Sequence, residues 1–77
     1  MQKRVMIVVN VPIEESDSMR DAIGKAGGGK LGNYSFCSFS IKGLGRSLPG
    51  NQANPTIGTS GQLEVIEEER ISLFIHY

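Results

Sequence analysis

Val5, Ile7, Val9 and Val11 fall on one face of an extended segment, and Met6 and Val8 fall on the other, ahead of Asn10. The β-branched content of residues 4–11 predicts a strand. Apolar side chains on both faces predict a central strand, covered on both sides. Pro12 has no N–H to give to a ladder and is expected to mark the strand's end. From 14 to 26 the period changes. Met19, Ala22, Ile23 and Ala26 recur at three and four residues, which predicts a helix with one narrow apolar stripe. Glu14, Glu15 and Asp17 favour its N-terminus, and Ser16 or Ser18 is available as a cap. Gly24 weakens the last turn by about 1 kcal/mol relative to alanine. Gly27 to Gly29 then end the helix, with one glycine expected in a left-handed cap.

A second strand is expected over residues 33–41, with Tyr34 and Phe36 on one side and Cys37, Phe39 and Ile41 on the other. Residues 42–61 hold five glycines and two prolines and read as a long loop. Loops of that length inside small domains tend to carry function. Residues 62–76 form a second strongly extended region, in which Leu63, Val65, Ile71, Leu73 and Ile75 share one parity. Glu67 and Glu69 interrupt that series and predict a bulge or an exposed bend.

Strand, helix, strand, long loop and long strand make the first part of a ferredoxin-like, split β-α-β pattern in the α+β class. A second helix and a fourth strand would complete it, and neither fits after residue 77. One helix covers one face of such a sheet. The second apolar face therefore predicts a partner, most simply another copy of the chain packed sheet to sheet, with Met6, Val8, Phe36 and Phe74 as the interface residues. The alternatives for the short pattern are an artificial boundary, a natural short form or strand exchange between chains.

At 77 residues the chain permits one small domain, residues 1–77. Val, Ile, Leu and Phe number 21 of them, enough for a folded chain with a thin core. Lys plus Arg and Asp plus Glu are 8 each, so there is no attractive field for nucleic acid. The longest apolar run, Val5 to Val9, is too short to span a bilayer, and no signal-peptide pattern surrounds it. A cytoplasmic protein without membrane or nucleic-acid partners is the expectation.

The candidate chemistry is sparse. Gly24 to Lys30 matches the G-x-x-x-x-G-K part of a phosphate loop but has Leu31 where Ser or Thr is needed, and it closes a helix where it should open one. A helix cap is the better reading. Lys30, Lys42 and Arg46 are the basic residues that a small anionic ligand would use. Cys37, the only thiol, lies among apolar neighbours and is expected to be buried and inert. With His76 it is poor material for a zinc site. Glu64, Glu67, Glu68 and Glu69 read as a solvated edge that resists strand pairing. No nucleophile and base stand together, so an enzyme is not expected, nor a metal or cofactor.

The runs Gly29-Lys-Leu-Gly-Asn-Tyr-Ser-Phe-Cys-Ser-Phe39, Gly43-Leu-Gly-Arg46, Ala53-Asn-Pro55, Ile57-Gly58 and Glu64 to Arg70 resemble the domain inserted in Nif-type (NGG-interacting-factor) proteins, which also carry the label GTP cyclohydrolase I type 2 homologue. Val11-Pro12, Glu14, Arg20 and Ala26-Gly27 fit as well, so the resemblance spans roughly residues 4–75. It implies a ferredoxin-like domain similar to the PII and CutA type, and a homo-oligomer, with a trimer favoured. The metal ligands of that family lie in its main domain, and none of those motifs occurs here. The resemblance thus implies a non-enzymatic assembly or regulatory domain acting through oligomerisation and the loop 42–61. The alternative it implies is a PII-like sensor that binds a small anion at a subunit boundary through Lys30, Lys42 or Arg46.

Overall fold

A computed structural model describes residues 3–50 and 61–77 of the chain. Three strands form one antiparallel sheet: β1 (Arg4–Pro12), β2 (Phe39–Ser47) and β3 (Glu64–His76). A short 3-10 turn, Ile13–Glu15, leads from β1 into the helix α1 (Ser16–Lys25). The sheet order is β1-β3-β2, and β3 runs antiparallel to both neighbours. β1 and β2 are therefore parallel, joined by α1, with β3 inserted between them. That is the split β-α-β arrangement expected from the element order.

The central strand is β3, not β1. Its 13 residues pair with β1 from Glu68 to His76 and with β2 from Glu64 to Ser72. Both registers run without a slip, so the bulge expected at Glu67 to Glu69 is absent. Glu69 stands opposite Val11 and Lys42, and Glu67 opposite Leu44. Backbone pairing continues through the carboxylates because their side chains reach solvent or a basic neighbour without leaving the ladder. β2 likewise corrects the expected strand. It starts at Phe39 and runs through Gly43 and Gly45, the stretch read as loop. Those glycines pair with Glu68 and Ile66, whose ladder bonds outweigh the low strand propensity of glycine. Residues 42–47 of the expected loop are thus strand, and Gly61 N–H donates to the Pro49 carbonyl at 2.7 Å. Residues 51–60, including the Asn54 to Gly58 part of the resemblance, lie outside the described residues.

α1 packs on one face of the sheet. Val11, Ile71 and Leu73 are buried there, with Val9, Ile75, Met19 and Ile23 packed around them. The helix stripe is rotated from the expected one. Ala22 and Ala26 are exposed, while Ser16 is buried and Arg20 half-buried. Neither Ser16 nor Ser18 caps the helix; each hydroxyl donates to a carbonyl three residues back, Ile13 and Glu15 respectively. At the other end, Gly28 N–H bonds the Ile23 carbonyl and Gly27 N–H the Gly24 carbonyl, a Schellman closure with Gly27 at φ 102°.

The next residues of the turn are held by the sheet itself. Gly29 N–H donates to the Phe74 carbonyl at 2.8 Å, and its own carbonyl accepts from Cys37 N–H at 2.8 Å. Leu31 and Tyr34 exchange backbone bonds across a tight turn at Gly32 and Asn33. This compact turn occupies the place given in the sequence reading to the start of a strand. Phe36, at φ 58°, lays its ring on Gly24, where any Cβ would overlap it. The glycine that weakens the helix thereby makes room for an aromatic lid.

Candidate functional site

The face of the sheet away from α1 carries Met6 and Val8 from β1, Phe74 and Ser72 from β3, and Phe39 and Ile41 from β2. Register places them side by side: Met6 opposite Phe74, Val8 opposite Ser72, and Ser72 opposite Phe39. Met6 is 53% exposed, Val8 50%, Phe39 65% and Ile41 55%. Next to them Leu31 and Cys37 wall a groove of about 380 Å³ whose floor includes Phe74 and Phe39. Polar residues bound this apolar area. At one end the Arg4 guanidinium sits over the Phe74 ring, 4.8 Å from its centre. At the other, Arg70 Nε donates to Asn10 Oδ1 at 3.1 Å.

Three of the four residues expected at an interface, Met6, Val8 and Phe74, share this face. Phe36 does not; it packs on Gly24 of the helix. Phe39 and Ile41 lie on this face and Leu31 beside it, and none of the three was among the residues expected at an interface. The signal for the first two was their shared parity in the segment that became β2. Cys37 is half-buried, less enclosed than expected, because it precedes β2 and sits at the groove wall.

The basic candidates are not gathered. Lys30 is exposed, and its carbonyl accepts from His76 Nε2 at 2.8 Å, at the far end of β3. Lys42 stands opposite Glu69, seven residues back along that strand, which is on the order of 20 Å away. Arg46 is farther still, opposite Val65. An anion site using all three would have to span two chains. Among the described residues no group of three His, Cys, Asp or Glu side chains is placed to hold a metal ion. Among them, too, no helix is long and apolar enough to cross a membrane.

On the helix side, Arg20 ties three elements together. It donates to Glu69 at 3.1 Å and to Ser40 at 3.0 Å, and it pairs with Asp17 within the helix. Asp17 first and Glu69 second hold the guanidinium above its ordinary value. The Ser16 hydroxyl and then the Arg20 guanidinium hold the Glu69 carboxyl below the usual range. A lowered carboxyl contributes stability that is fully present above its unfolded value, about 4.3. That contribution is lost as pH falls through the lower folded value. The melting temperature should therefore drop on acidification below about pH 4, and Glu69→Gln should drop less over that window. Parallel acid profiles for the two proteins would refute this role.

No protein-family model matches the chain. Individual proteins do match. A GTP cyclohydrolase 1 type 2 homolog of Halalkalibacterium halodurans is 45% identical over 69 residues, covering 90% of this chain and 18% of that protein. The Bacillus subtilis protein of the same name is 43% identical over 65 residues, covering 84% of this chain and 17% of its own length. A crystal structure of a Bacillus cereus protein related to NIF3 superposes with a TM-score of 0.72 at 39% identity, over 96% of this chain and 17% of that one. The chain is a relative of one segment of the NIF3-type proteins. It spans a fifth or less of the length of these relatives. The name of those relatives marks likeness to a cyclohydrolase, and their likeness to this chain lies in this one segment.

Proposed function

We propose that this NIF3-type segment is a non-enzymatic self-assembly domain, and that its working surface is the open face of the sheet. The observation that supports this is the half-exposed cluster of Met6, Val8, Phe39 and Ile41 beside Phe74. Monomers seldom present a contiguous apolar surface of this kind to water. Each Å² covered by a second copy contributes about 25 cal/mol, which is substantial beside a core that holds three buried apolar side chains among the described residues. The cyclohydrolase label of the relatives is not carried over: the groove beside this face is lined mostly by apolar side chains, with Ser38, Ser72 and the half-buried Cys37 thiol, and no base stands among its lining residues.

Phe39→Glu tests the reading. It places a charge on the open face, away from the core and from β1. The variant should keep the strand and helix signature of the parent and weaken self-association by a hundredfold or more. Association at parental strength would refute the open face as the contact.

A further inference from the structure

The polar end of the open face carries two charges that the chain keeps apart. Register puts Arg70 opposite Ile41 and Asn10, and Glu68 opposite Gly43, so both side chains project on the face away from α1. Alternate residues on one strand face are about 7 Å apart, within reach of each other's long side chains. These two diverge instead. Arg70 Nε donates to Asn10 Oδ1 on β1 at 3.1 Å. The half-buried Glu68 carboxylate turns toward β2 and lies against Gly45, where a Cβ would overlap it. Among the described residues neither charge takes part in an ion pair. Lys42 and Arg46, the cations of β2, alternate to the other face, where their cross-strand neighbours are Glu69 and Val65.

Between the two charges the surface is notched. A groove of about 200 Å³ runs over Gly43, with Ile41, Asn10, Arg70 and Glu68 around it. Gly43 has no positive φ, and nothing lies within 4 Å of a Cβ placed on it. Neither backbone strain nor crowding within the chain calls for glycine there, and glycine weakens a strand. The apolar cluster ends at Ile41, directly beside the groove. A second copy that covers Ile41 also covers Arg70 and Glu68, and a charge taken from water without a partner is expensive. The face supplies the partner itself, because it carries one charge of each sign at this place. In a symmetric contact the same pair is then made by every copy.

We propose that Arg70 of one copy enters the groove over Gly43 of a second copy and pairs with its Glu68, and that this ion pair sets which surfaces meet and in what register. The inference deepens the self-assembly reading and rests on it for the second copy.

Glu68→Arg and Arg70→Glu should each stay folded by circular dichroism and associate roughly tenfold more weakly than the parent in sedimentation, because each sets like charges against one another. The chain carrying both substitutions restores opposite signs and should return to within about threefold of the parent. Mixed in equal amounts, the two single variants should associate with each other more tightly than either does with itself, which a pair made within one chain would not produce. Gly43→Val fills the groove without a clash in the single chain. It should keep the fold and lose association by roughly tenfold as well. A double variant that associates no better than the single ones, or a Gly43→Val that associates like the parent, overturns the proposal. Single variants that associate like the parent while Phe39→Glu dissociates overturn the ion pair and leave the face reading standing.

Discussion

Ile71→Ala is expected to cost most of the stability of the chain. Ile71 is 0% exposed, sits on the central strand, and touches the layer formed by Val11, Leu73, Val9, Met19 and Ile23. Removing a buried isoleucine to alanine costs about 2–5 kcal/mol through lost transfer energy and the cavity left behind. A domain of this size has roughly 4–12 kcal/mol to lose. Among the described residues the core holds two other buried apolar side chains, Val11 and Leu73, each 6% exposed, so little else there can close the gap. A urea titration of the variant should show its midpoint displaced far down or no folded baseline at all. Ile41→Ala is the matched control: the same residue type, in a strand of the same sheet, but on the open face. It should leave the fold in place and act on self-association. Equal losses of stability in the two variants would contradict the assignment of the faces.

Gly29→Ala should come second in size. Gly29 has φ 78°, a region costing a side-chain-bearing residue about 1–2 kcal/mol. A Cβ there would also press on the Cys37 backbone, with the amide nitrogen at 2.8 Å and the carbonyl oxygen nearer still. That neighbour cannot step aside without breaking the bond from Cys37 N–H to the Gly29 carbonyl and straining the one from Gly29 N–H to Phe74. The total is about 3 kcal/mol when a lost bond of about 1 kcal/mol is added. Gly27 makes the comparison clean. Its φ is 102°, but nothing lies within 4 Å of a Cβ placed on it. Gly27→Ala should therefore cost only the conformational part. A loss at Gly29 no larger than at Gly27 would show that the close approach to Cys37 is not what selects glycine.

The regular elements were legible where side-chain chemistry alone decides them. The β-branched run at Val5 to Val11, the stripe through Met19 and Ile23, and the alternation from Ile71 to Ile75 each became the element they suggested. The misreadings share a cause, which is that the backbone answers to its neighbours. Gly43 and Gly45 look like breakers until β3 offers them a partner. Glu67 and Glu69 look like an interruption until the ladder carries them past the end of the core. β1 looks central because both its faces are apolar, yet only one is covered within the chain. The rotation of α1 was hidden for a different reason. Its anchors on the sheet are Ser16 and Arg20, and the value of a polar anchor depends on Glu69 and Ser40, some fifty and twenty residues away. Of the open face, Met6, Val8 and Phe74 could be read from parity, whereas Phe36 could not be placed without its contact on Gly24. The basic residues Lys30, Lys42 and Arg46 were grouped by charge, and a long β3 separates them.

Self-assembly is the central claim, and sedimentation equilibrium of the unmodified chain at low micromolar concentration tests it most directly. The account predicts a folded species whose mass is a multiple of 8.3 kDa, with a melting temperature that rises with protein concentration. A folded species of 8.3 kDa whose cooperative melt does not depend on concentration would contradict it.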